Sequence, residues 1–221
     1  MPRELFQQEL HKIQEDMLVM ASMVDTAIGR SVIALKSRDP KLAQQVIEDD
    51  LKINQQRFSI EEECLLMIAT QQPIASDLRV VAAAFNIIAD LERMGDHAEG
   101  IAKIAILIGD EPSLKPLIDI PRMAEQAQSM LRRSMDAFMN RDAASASEIG
   151  QEDDIVDQLY EQVYRELLIF MMADPGTINR ATHLLWVAHN LERIADRVTN
   201  ICERVVFLTT GRMVEFNASK Y

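Results

Sequence analysis

Basic residues are in short supply: 23 Lys and Arg against 35 Asp and Glu leave a formal net charge of −12. A partner held by its phosphate backbone needs a basic surface, so nucleic acid is excluded as the main partner. An acidic surface attracts cations or basic patches instead. Cysteine is nearly absent, and Cys64 and Cys202 form no Cys-x-x-Cys. That excludes a disulfide framework or zinc ribbon and fits a reducing cytoplasm; both cysteines read as small buried apolar residues. Aromatics make up 5% of the chain, and Gly and Pro number seven each. So little glycine excludes a Gly-rich phosphate loop, and the composition favours helices over strands. No apolar run reaches the roughly 18 residues of a membrane span. The opening MPRELFQQEL has no apolar signal segment, so the chain is expected to be cytoplasmic and to meet a membrane only peripherally, through partners.

Catalytic motifs are missing as well. There is no H-E-x-x-H, no G-x-S-x-G, and no Glu followed by His three residues later, the pattern a ferritin-like di-iron bundle needs. The chain is therefore expected not to be an enzyme. A metal-dependent hydrolase working through metal-bound water, or a metal-storage bundle, is the alternative; a helical scaffold without functional metal is the third reading.

What is present is helical periodicity. Apolar residues recur at steps of three and four, as in Met17, Met20, Met23/Val24, Ala27/Ile28, Ser31 and Leu35. Prolines 2, 40, 73, 112, 116, 121 and 175 punctuate the chain where helices start or stop. Together they predict six long helices near 4–36, 41–70, 74–109, 118–140, 143–172 and 176–210. The segment DEPSLKPLIDIP, residues 110–121, is the joint.

The halves repeat each other. Arg30-Ser31 and Arg38-Asp39 return as Arg133-Ser134 and Arg141-Asp142, 103 residues on. Glu48-Asp49-Asp50 returns as Glu152-Asp153-Asp154 after 104, Pro73 as Pro175 after 102, and LERMGD (91–96) as LERIAD (191–196) after 100. The expected fold is all-α: a tandem duplication of a three-helix antiparallel bundle, with halves 1–112 and 113–221.

The third helix of each half carries the unusual chemistry. Leu91, Met94, Ala98, Ile101, Ala105 and Ile108 form an apolar stripe, and Arg79, Asn86, Asp90, Arg93 and His97 form a polar one, read as facing solvent. Glu92, Asp96 and Glu99 belong to neither: they continue a stripe begun by Leu78, Val81, Phe85 and Ile88. Leu185 and Ala188 lead in the same way to Glu192 and Asp196, with Asn200 four residues beyond. Carboxylates at i, i+4 repel, and burial raises the cost. Arg93 and Arg193 are poor offsets, because sequence neighbours point about 100° apart on a helix. Lys103 can pair with Glu99. A bound cation is the remaining candidate, since hard metals take oxygen ligands. Asp50/Asn54, Asp153/Asp157 and Asp154/Gln158 on the second helices are possible partners, in a register left open. His97, His183 and His189 read as surface or capping residues.

Gln72-Pro73-x-x-x-Asp77-Leu78-Arg79, then Asp90-Leu91-Glu92-Arg93-Met94-Gly95-Asp96, then LERIAD at its expected place resemble the PhoU family of accessory and regulatory proteins of high-affinity phosphate transport. The resemblance covers essentially the whole chain. It implies two three-helix bundles, a homodimer, and metal (iron, zinc, manganese, nickel or magnesium) at Glu92 and Asp96 and at Glu192 and Asp196, with Asp50 and Asp154 contributing. It also implies repression of the phosphate-starvation regulon, restraint of phosphate uptake, and contacts with the phosphate ABC transporter's ATPase and the phosphate-sensing histidine kinase. The second copy departs from the first: Asn190 stands for Asp90, Thr199 for Glu99, and Asn179-Arg180 for Asp77-Leu78-Arg79.

Overall fold

The computed structural model describes residues 2–216, without the side chains at 2, 3 and 5; residue 1 and residues 217–221, the outer ends of the two expected halves, lie outside the described residues. The helices are α1 (Pro2–Ser37), α2 (Pro40–Gln71), α3 (Ser76–Ile108), α4 (Asp119–Asn140), α5 (Ala143–Gln151), α6 (Asp153–Ala173) and α7 (Ile178–Thr210), with a single 3-10 turn at Pro175–Thr177 before α7. No strand occurs among the described residues.

The repeated landmarks have repeated jobs. Arg38 and Arg141 adopt left-handed φ values of 53° and 52°. The amide after each, on Asp39 and Asp142, then reaches back to the carbonyls of Ala34 and Ala137 at 3.0 and 2.9 Å. This closes the helix as a Schellman motif, with arginine where glycine is usual. The same aspartates cap the following helix, Asp39 accepting from the Lys41 and Leu42 amides and Asp142 from those of Ala144 and Ser145. Arg30 and Arg133 each tie the first helix of a half to an acid of the second, Asp49 at 2.7 Å and Glu152 at 2.8 Å. Beside them Ser31 and Ser134 are fully buried and bond back to the carbonyls of Ile28 and Leu131.

That ion pair corrects a register. Asp49 and Glu152 are equivalent at an offset of 103, so Asp153, and not Asp154, occupies the place of Asp50. Asp50 and Asp153 are both buried while Asp154 is exposed. The expected continuous helix 143–172 is also interrupted. At Glu152 the chain switches to i to i+3 bonds, from the Glu152 amide to Ile149 O and from the Ile155 amide to Glu152 O, both 3.0 Å. Arg133 grips the Glu152 carboxylate through both terminal nitrogens at 2.8 Å, and Gln126 adds a third bond. Gly150 sits against the ring of Phe216, where an added Cβ would lie 2.7 Å from Phe216 Cδ2.

The most extensive packing joins α3 to α7, so the two third helices lie back to back at the centre, and α1 also packs on α4. The α1 stripe is core as expected, with Met17, Met20, Val24, Ile28, Ser31 and Leu35 buried. One expectation fails here. Phe6–Ser37 is long and apolar enough to cross a membrane by length and composition, and half of its apolar window is buried in the protein, which is ordinary for a core helix.

Candidate functional site

The polar stripe of α3 is only partly in solvent. Asn86 and Arg93 are exposed, but Asp90 is 9% exposed and accepts from Arg197 Nη1 at 3.2 Å and Asn200 Nδ2 at 3.1 Å, both on α7. His97 Nδ1 lies 2.8 Å from Asn190 Oδ1, which can only accept, so the ring donates from Nδ1. Burial pushes the His97 imidazole below its ordinary value and the Asp90 carboxyl above its own. Positions 90 and 97 of one copy thus meet 197 and 190 of the other, as two antiparallel helices related by an approximate twofold would. Gly100 fits the same pattern, since its missing Cβ would lie 3.3 Å from Asn190 Oδ1. Helical periodicity distinguishes polar from apolar faces, but it cannot tell water from a polar partner helix. Asn200, expected beside Asp196 as a ligand, belongs to this seam, and so does the Asp90/Asn190 exchange.

The stripe of acids forms a separate cluster between α2 and α3. Asp50 is 8% exposed; its Oδ2 accepts from Asn54 at 2.8 Å, and its Oδ1 is buried without a hydrogen-bond partner. It lies close to α3 because residue 95 is glycine: a Cβ there would be 3.0 Å from Asp50 Oδ1. Burial, then the Asp96 and Glu99 carboxylates, and less strongly Glu92, push Asp50 up to about 6. The fold thus settles the register that the sequence left open, bringing Asp50 of α2 beside Glu92, Asp96 and Glu99 of α3.

Their offsets are not those expected from helix geometry. Arg93 Nη1 lies 2.9 Å from Asp96 Oδ2, and Arg193 Nη1 lies 2.6 Å from Asp196 Oδ2. Both are i, i+3 pairs, so each arginine serves the acid one turn on. Arg57, which sequence analysis passed over, approaches Glu92 from α2 at 3.6 Å. It lies seven residues after Asp50 on the same helical face, a spacing that could have revealed it. Lys103 pairs with Glu99 at 2.6 Å as expected.

The second cluster is thinner. Glu192 is pushed up to about 7 by burial and then by Asp196, with Asp157 of α6 adding to the rise. Its Oε2 is buried and accepts no hydrogen bond, although His189 Nδ1 is 3.4 Å away. Burial also raises Asp196, against the pull of Arg193. Asp154, expected to contribute here, is exposed, and the α6 acid whose charge acts on Glu192 is Asp157 of the Asp153/Asp157 pair. Orphaned buried oxygens in both clusters, and acids raised by one another, are the features a bound cation would relieve. Among the described residues, no three Asp, Glu, His or Cys side chains already converge as a metal requires.

Fold and site together define a duplicated helical bundle with an acidic cluster flanking each of two back-to-back third helices. The PhoU domain family matches residues 17–105 and 120–205. The phosphate-specific transport system accessory protein PhoU homolog of Aquifex aeolicus is 41% identical over 207 residues, 94% of this chain and 94% of that one. The crystal structure of PhoU from Pseudomonas aeruginosa matches with a TM-score of 0.89 at 38% identity, covering 94% of this chain and all of that one. The phosphate transport system regulatory protein PhoU of Streptococcus pneumoniae has the same TM-score at 36% identity, covering 95% and 99%. The chain belongs to the PhoU family.

Proposed function

We propose that this protein is a non-enzymatic, cytoplasmic regulator of phosphate transport. The observation that carries the reading is the match, across almost the whole chain, to proteins named as accessory to phosphate-specific transport. In this reading it represses phosphate-starvation genes when phosphate is plentiful and restrains uptake. As a homodimer it links the ATPase of the phosphate ABC transporter to the phosphate-sensing histidine kinase.

Metal binding is part of the proposal. Asp50, Glu92, Asp96 and Glu99 would hold one cation, and Glu192 and Asp196, with Asp157, a second. A bound cation supplies positive charge that offsets the carboxylate repulsion. The first cluster offers only oxygen and suits hard ions such as manganese, magnesium or iron; His189 beside Glu192 adds a nitrogen to the second, which suits zinc or nickel as well.

Deletion of the gene tests the regulatory role against the hydrolase and storage alternatives. Phosphate-starvation enzymes should appear in phosphate-rich medium. A deletion strain that stays repressed would refute the regulatory reading.

A further inference from the structure

The two acidic clusters differ in most of their surroundings. Where the first has Arg57, Gly95 and Glu99, the second has Tyr160, Ala195 and Thr199. What both keep is Glu-Arg-x-x-Asp, and in both the arginine lies on the aspartate, at 2.9 and 2.6 Å. In the first copy Arg93 Nε also stands 3.5 Å from Glu92 Oε2, so one guanidinium spans both acids of the motif. These arginines are 59% and 41% exposed, on side chains long enough to swing into water. Asp96 and Asp196 are turned toward their arginines, and among the described residues no three acids converge on a common point. The buried Asp50 Oδ1, with no partner, marks the first cluster as still short of positive charge.

We propose that Arg93 and Arg193 are built-in counter-ions that compete with a metal cation for the repeated carboxylates and are displaced when it binds. The inference rests on the cation reading above. Without metal, the arginine limits the repulsion between Glu92 and Asp96, and between Glu192 and Asp196. When metal enters, the same oxygens turn to it and the guanidinium moves outward. Each binding event thus sets the local affinity against a protein cation and presents an arginine at the surface beside α3 or α7. Competition with the arginine lowers the site's apparent affinity by a constant factor, so occupancy rises gradually but over a higher range of free cation than bare carboxylates would give.

Isothermal titration of metal-free protein with Mn²⁺ tests this in wild type, Arg93→Gln, Arg193→Gln and, as control, Lys52→Gln. Lys52 pairs with Asp49, an acid outside the motif, at 2.7 Å. Losing the competitor in Arg93→Gln should tighten one site about fivefold, the size of one exposed ion pair. Arg193→Gln should tighten the other site, and Lys52→Gln, which removes an exposed charge held by Asp49, should leave both within about twofold. The Nε–Hε resonances of Arg93 and Arg193 should shift on titration with diamagnetic Mg²⁺. Equal tightening in the lysine control, or unchanged or weaker binding in both arginine variants, overturns the proposal and leaves the cation reading standing. Absence of Mn²⁺ binding in wild type overturns both.

Discussion

Asp90→Ala should lower the free energy of unfolding by about 2–3 kcal/mol, the largest single-site loss expected outside the apolar core. Asp90 sits in the packing between α3 and α7 and accepts from Arg197 and Asn200. Its carboxyl is raised because burial outweighs those partners, so the pair itself contributes little net stability. Breaking it is another matter, since Arg197 Nε is already buried without a partner. Removing the acid leaves a guanidinium facing a gap. The figure is set below the full cost of a broken buried pair because Arg197 keeps 30% of its side-chain exposure. Asp90→Asn, which installs the residue that the second copy carries at position 190, should cost less than about 1 kcal/mol, because the amide oxygen still accepts. Equilibrium urea unfolding of the three proteins checks the order. A loss in Asp90→Ala no larger than in Asp90→Asn would mean the seam is not closed by this pair.

The second large effect has the opposite sign. In metal-free protein at pH 7.5, Asp50→Asn should raise stability by about 3 kcal/mol, because the wild-type carboxyl, pushed up to about 6, must ionise where burial and its neighbours oppose the charge. Asp50 and Glu192 lie at about 6 and about 7, against ordinary values near 4. A raised acid binds its proton more tightly folded than unfolded. Its contribution is therefore fully present below about pH 4 and is lost as pH rises through 6 to 7. Other acids pull the other way. Asp49 is held down by Lys52 and Glu152 by Arg133, and these lose stability as pH falls. The prediction is accordingly a difference between proteins: the advantage of Asp50→Asn over wild type should be near zero at pH 4 and grow through pH 6. Its amide keeps an oxygen for Asn54 and offers N–H donors to the Asp96, Glu99 and Glu92 side. A flat difference across that range would show that Asp50 ionises without penalty.

Much of the fold was legible because its signals are local. Prolines 40, 73 and 175 and the Arg-Asp turns at 38–39 and 141–142 mark helix ends through backbone chemistry confined to a few residues. The duplication was legible for the same reason. What failed depended on partners far along the chain. Nothing in 143–172 announces a break at Glu152, because its causes, Arg133 on α4 and Phe216 in the tail, lie elsewhere in sequence. The seam looked like a solvated stripe because α7 covers it. Glu92, Asp96 and Glu99 were found from spacing on one helix, whereas the placing of Asp50, Arg57 and the Asp153/Asp154 register needed the geometry between helices. Arg93 and Arg193 were passed over by comparing them with the adjacent glutamate instead of the aspartate one turn on.

Cation binding by the repeated acids is what links the site to the proposed function. Metal analysis of protein purified from its native host, comparing wild type with Glu92→Gln/Asp96→Asn, tests that most directly. The double variant should carry less metal per chain, with the Glu192 and Asp196 site still loaded. Equal metal content in the two proteins would contradict it.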